Sequence, residues 1–188
     1  RVVVSTYQAV SGSGTDAVKE LQRQSEDLVE GKKPEVKVYP HQIAFEALPH
    51  IDDFQDNGYT KEEMKMVHET HKIVSDSINV SPTAVRIPVY RSHAESVNVE
   101  TELPVDVEEV RDLLSESPGL VVRDDPDNNI YPLCREAEGR DEVFVGRIRR
   151  DDTVENGLNF WIVSDNLRKG AALNTVQIAE EMVKRDLV

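Results

Sequence analysis

The chain has 188 residues, 38% hydrophobic and 31% charged, with a formal net charge of −14. That length supplies one domain with a substantial core, burying roughly 70% of its unfolded surface, and two domains would be a squeeze. The acidity argues against a nucleic-acid partner, which needs a basic footprint. No apolar run approaches the ~20 residues that span a bilayer, so no membrane association is expected either. A single cysteine, Cys134, excludes an intrachain disulfide and fits a reducing, cytoplasmic setting. The chain opens at Arg1 and runs straight into Val2-Val3-Val4, which reads as a cut through a longer protein.

Taken in order, Arg1 to Val10 reads as a buried strand ending in Tyr7-Gln8. Ser11-Gly12-Ser13-Gly14 then turns into a helix capped near Thr15 or Asp16. Such a turn can lay backbone N–H groups against a phosphate or a ring amide, but SGSG lacks the spacing of a dinucleotide fingerprint and equally suits a tight connection. The helix runs to about Glu30, with Val18, Leu21, Leu28 and Val29 available for a core face, and Gly31 ends it. Residues 32–57 hold Ile43, Phe45, Leu48 and Ile51, too many apolar groups for a solvated linker, so the segment is expected to lie against a core or a partner subunit.

Thr60 opens a second helix, with Glu63 three residues on completing a capping box. Met64, Val67, His71, Val74 and Ile78 follow helical spacing, which makes His71 a semi-buried helix residue rather than a ligand. Glu62 and Lys65, at i and i+3, suit either a surface ion pair or a carboxylate and an ammonium aimed at a zwitterionic or phosphorylated substrate.

The stretch from Thr83 to Glu100 alternates like a pair of strands, yet carries Arg86, Arg91 and His93 among β-branched residues. Arg86 and His93 are seven residues apart, so in one unbroken strand they would point to opposite faces, ~23 Å apart. Sharing a substrate requires a bend, for which Pro88 and Arg91-Ser92 are the natural places.

Val105 to Glu116 fits an amphipathic helix with Val107, Val110, Leu113 and Leu114 inward, and Leu120 to Val122 a short strand. Cys134 sits in a Pro-flanked, loop-like stretch with no adjacent base, a weak setting for a nucleophile. Val143 to Arg149 and Leu158 to Val163 read as strands joined through Asn156-Gly157, and Gly170 to Lys184 as a final helix with Ala172, Val176, Ala179 and Val183 in register. The expected fold is α+β, a mixed, largely antiparallel sheet of about six strands with helices on one face.

STYQAVSGSG, PHQIAFEALPHIDDF through YTKEEMKMVHETHKI, VRIPVYRSH, VGRIRRD and WIVSDNLRKGAALNTVQIAE together resemble the catalytic and dimerisation domain of the aspartate-semialdehyde dehydrogenase family. The resemblance covers nearly the whole chain, 1–188, and implies the C-terminal fold of glyceraldehyde-3-phosphate dehydrogenase. In that family a cysteine thiolate attacks the aldehyde, hydride leaves to NADP, and phosphate releases the thioester as aspartyl phosphate; biosynthesis runs the reverse. The resemblance makes His93 the acid/base, Arg86 the clamp on the substrate carboxylate, Glu62 the acceptor of its amino group, Lys65 a phosphate ligand and Gln8 a substrate-orienting group. It sets Ser11, Gly12 and Asn166 around the nicotinamide end of NADP, and implies a homodimer and no metal.

The family's Asn-Cys-Ser/Thr motif and its Gly-rich cofactor domain have no counterpart among these residues. The chain is therefore expected to retain the acid/base and substrate groups, to lack the thiol, and to be inactive by itself. Two alternatives stand beside this reading: an N-acetyl-glutamyl-phosphate reductase, whose acylated substrate gives Glu62 no amino group to meet, and a non-catalytic dimerisation module.

Overall fold

β1 (Val2–Gln8) lies inside the sheet and is flanked by the two strands of the Thr83–Glu100 stretch, β2 (Val80–Arg86) and β3 (His93–Glu100). The computed structural model describes residues 1–188. β1 pairs parallel with β2 and antiparallel with β3; β3 then pairs antiparallel with β6 (Gly157–Ser164), which pairs antiparallel with β5 (Val143–Asp151). β4 (Leu120–Val122) closes the far edge, parallel to β5, in the order β2-β1-β3-β6-β5-β4. The sheet is thus six-stranded, mixed and largely antiparallel, as the strand pattern predicts.

Helix α1 (Thr15–Val29) buries Leu21 and packs Val18 and Leu28 against the core, as its apolar spacing suggests, but leaves Val29 out. Val29 is 81% exposed, whereas Glu20 and Gln24 are 1% and 0% exposed. Both polar side chains reach out to the following segment. Glu20 Oε2 accepts from the amides of Lys37 (3.1 Å) and Val38 (2.7 Å), and Gln24 Oε1 accepts from those of Ile43 (2.9 Å) and Ala44 (3.1 Å). These bonds offset the desolvation of a buried carboxylate and amide. They also draw Ile43, Ala44 and Leu48 into a core with Val10, Ala17 and Leu21, so the 32–57 segment is ordered against this domain's own core. Phe45, by contrast, takes a left-handed φ of 65° and points to solvent.

α2 (Lys61–Ile73) starts with the capping box foreseen: Thr60 Oγ1 accepts from the Glu63 amide, and Glu63 Oε2 from the Thr60 amide at 2.7 Å. The other Glu63 oxygen accepts from the Ala84 amide at 2.9 Å, which pins the helix start to the outer edge of β2. The helix stops at Ile73, short of Ile78, and His71 Nε2 meets the Ile78 carbonyl at 2.9 Å. α3 (Val107–Glu116) packs by β4 and β5, with Leu113 exposed rather than inward. Cys134 begins a one-turn helix, α4 (Cys134–Ala137), against β6. The last helix is preceded by a π-helical turn at Arg168–Ala172, and α5 (Leu173–Lys184) leaves Val176 and Val183 exposed.

Candidate active site

Where β1 ends, three strands deliver their polar ends to one place. Gln8 is the register partner of Arg86 on β2, and His93 opens β3 one step beyond the Tyr7–Ala94 pair, opposite Gln8 on the other side. Strand alternation puts all three on one face. Arg86 and His93 share it because they belong to different strands on either side of β1, joined by residues 87–92 crossing over its end. The Val10 amide donates to Val89 O at 2.9 Å and the Ser11 amide to Tyr90 O at 3.2 Å, fastening that crossing. Its tightest point is Ser92, buried, with φ 72°.

How close the groups come is gauged at Gly12. A Cβ there would lie 3.2 Å from Arg86 Nη1 and 3.5 Å from His93 Nε2. Both ends therefore border one small space, well inside the roughly 12 Å that a shared four-carbon ligand permits. α2 supplies the facing wall. Gln8 Nε2 donates to Glu62 Oε1 at 3.2 Å, and Lys65 Nζ stands 3.6 Å from Glu62 Oε2. Asn166, just past β6, donates to Ser11 Oγ at 3.0 Å and accepts from the Ser92 amide at 2.9 Å. All eight residues singled out from the sequence line one cavity of about 600 Å³.

The electrostatics are set by burial. Arg86 is buried with Nη1 donating to Ala9 O at 2.7 Å, while its Nε is buried without a partner. Burial pulls its pKa down, opposed by Tyr39 and Glu62. His93 is pushed down from 6.5 to about 4, first by burial and then by the Arg86 charge, against the opposing Ser92 backbone, Glu62 and Asp165. It is neutral near pH 7. Because Nδ1 accepts the Ala9 amide at 3.1 Å, the single proton belongs on Nε2, beside Gly12.

Two features of this region are absent from the sequence reading. Glu95 lines the same cavity, with its pKa raised by burial; lying two residues after His93 on one strand, it was findable from the period of two. The Arg91–Asp165 ion pair, with Asp165 fully buried, joins segments 74 residues apart and leaves no local signal. Cys134 lies elsewhere. It packs on the opposite sheet face with Ala94, Ala137, Phe144 and Val163, and burial pushes its thiol pKa up.

A family model described as semialdehyde dehydrogenase, dimerisation domain, matches residues 1–169. The chain belongs to that family. Aspartate-semialdehyde dehydrogenase of Aquifex aeolicus is 57% identical over 190 residues, covering 100% of this chain and 56% of that protein. The Legionella pneumophila enzyme is 54% identical, covering 100% and 55%. Among solved structures, aspartate semialdehyde dehydrogenase II from Vibrio cholerae superposes with a TM-score of 0.94 at 50% identity, over 98% of this chain and 55% of that one; the same holds for that protein complexed with ASA. This member of the semialdehyde dehydrogenase dimerisation-domain family thus spans about half the length of the curated relatives it matches.

Proposed function

We propose that this chain is the substrate-binding, acid/base and dimerisation domain of an NADP-dependent aspartate-semialdehyde dehydrogenase. The whole enzyme converts aspartyl phosphate to aspartate semialdehyde in the cytoplasmic biosynthesis of lysine, methionine and threonine. The observation that carries the reading is the convergence of Gln8, Glu62, Arg86 and His93 on one cavity. A buried cation on one wall and a carboxylate on the other complement a small zwitterion, and the Vibrio cholerae relative complexed with ASA supports the same ligand here.

In this reading Arg86 holds the substrate carboxylate with its planar fork, Glu62 meets the amino group and Lys65 the phosphate. Gln8, itself held by Glu62 and Thr6, orients the chain between them. His93 presents its Nε2 proton to the carbonyl oxygen, where negative charge develops as a thiolate adds. That thiolate comes from outside these residues, as does the main NADP-binding domain. Ser11, Gly12 and Asn166 fit the nicotinamide end: Ser11 and Asn166 hold each other beside Gly12, where a Cβ would crowd Arg86 and touch His93. NADP, when bound, supplies the hydride transfer.

The test is an assay of the full-length protein on two aldehydes with NADP and phosphate. Turnover of aspartate semialdehyde supports the proposal. Turnover of N-acetylglutamate semialdehyde alone would reassign the protein to the reductase branch, and inactivity on both would favour the non-catalytic module.

A further inference from the structure

The turn that delivers His93 is held from outside the cavity. Arg91 donates from Nε to Asp165 Oδ1 at 3.1 Å and approaches Oδ2 through Nη2 at 2.7 Å. The same carboxylate accepts from the Leu167 amide at Oδ1, 2.9 Å, and from the Gly139 amide at Oδ2, 2.7 Å. Both oxygens are thereby saturated, and Asp165 is 0% exposed. It ties together three segments that only the fold brings near one another: the crossing over β1, the end of α4 and the start of the π-helical turn. One residue on, Asn166 holds the Ser92 amide. Arg91 and Ser92, directly before His93, are thus each fastened to the chain end of β6, and Ser92 sits at a positive φ that an unrestrained serine seldom adopts.

We propose that Asp165 is a positioning residue for His93, acting through Arg91 and the strained Ser92 to fix the imidazole in the cavity, and acting on it as a buried anion. This rests on the function proposed above. The distinct consequence is that removing Asp165 damages proton chemistry while sparing substrate binding, because Arg86, Glu62 and Gln8 are held by β1, β2 and α2 instead. The charged and titratable groups around His93 are Arg86 on β2, Glu62 and Lys65 on α2, Asp52 in the segment before α2, Glu95 on its own strand and Asp165 beyond β6. Of these, Arg86 opposes an imidazolium, and Asp165 and Glu62 favour it. Burial puts the neutral form first, and the Ser92 backbone, then Glu62, then Asp165 limit how far that goes.

The experiment uses Asp165→Asn and Arg91→Lys in the full-length enzyme, with steady-state kinetics and an NMR titration of the His93 ring. For Asp165→Asn, kcat should fall about tenfold to a hundredfold, as expected for sub-ångström misplacement of a catalytic group, with KM for aspartate semialdehyde within about threefold of wild type. The His93 midpoint should move below its wild-type value, since an anion has been removed beside an unchanged Arg86. Arg91→Lys keeps the charges but loses the fork; it should lower kcat with little change in that midpoint, and it serves if Asp165→Asn does not fold. Wild-type kcat with an unmoved midpoint in Asp165→Asn would overturn the proposal, as would a KM rising in step with the loss of kcat. An inactive wild type would instead strike the function proposed above, and the His93 titration would still be readable.

Discussion

His93 carries the sharpest residue-scale consequence. Its pKa falls from 6.5 in the unfolded chain to about 4 in the folded one, so between these values the unfolded chain binds a proton that the folded chain refuses. Stability must therefore decline as pH drops through that window, by roughly 3 kcal/mol in all at 1.36 kcal/mol per unit. Glu95, whose pKa is raised by burial, works in the opposite sense, so the quantity to measure is the difference between wild type and His93→Gln in chemical denaturation from pH 7 to pH 4. The variant should lose less stability on acidification; parallel curves would show that His93 titrates normally. In the full-length enzyme His93→Ala should chiefly lower kcat. Arg86→Lys should chiefly raise KM for aspartate semialdehyde, by about 1.5–3 kcal/mol of lost charge-assisted bonding, since an ammonium has no fork and the site is buried.

At the scale of elements, local chemistry was legible and long-range polar pairing was not. The capping box at Thr60–Glu63, the strands of the Thr83–Glu100 stretch and the bend at Arg91-Ser92 all follow from residue types at short spacing. Apolar periodicity misjudged Leu113 in α3 and Val29 in α1; α1 is held partly by Glu20 and Gln24 bonding the backbone of residues 37–44, so its hydrophobic stripe stops short of Val29. Of the cavity's eight residues, Arg86, His93 and the Glu62–Lys65 pair stand out by residue type, the roles of all eight came from resemblance, and nothing in their spacing announces that β1 separates Arg86 from His93. Glu63 joins the two levels: it caps its own helix and grips β2 through the Ala84 amide. Glu63→Gln leaves one oxygen unable to accept and should cost about 1–3 kcal/mol, seen as a lower Tm. Because Glu62 rides on the same turn, binding of aspartate semialdehyde should weaken too; a lowered Tm with unchanged KM would show that Glu62 is placed independently of this clamp.

At the scale of the molecule, the two sheet faces divide the labour. One ends in the polar cavity around His93; the other carries a hollow of about 500 Å³ whose lining includes Tyr131, Leu133, Cys134 and Trp161, with Arg147 and Arg149. Cys134 cannot serve the first face from the second, and burial keeps its thiol protonated. The 188 residues alone should therefore show no aspartate-semialdehyde dehydrogenase turnover, since a clamp and an acid/base without a thiolate cannot form the thioester. Turnover abolished by Cys134→Ser would reverse this. The hollow has a different expected use. A chain matched by a dimerisation-domain family, with a largely apolar hollow on the sheet face turned away from its polar site, is expected to self-associate through that face, over the ~1,000 Å² or more that a stable interface buries. Leu133 stands partly exposed at this hollow, so Leu133→Asp would bury two unpaired carboxylates across a two-fold axis. Sedimentation should find the wild-type chain dimeric at micromolar concentration and Leu133→Asp monomeric with the same circular dichroism spectrum. A wild-type monomer would refute self-association of this domain, and a dimer indifferent to Leu133→Asp would move the interface off this face.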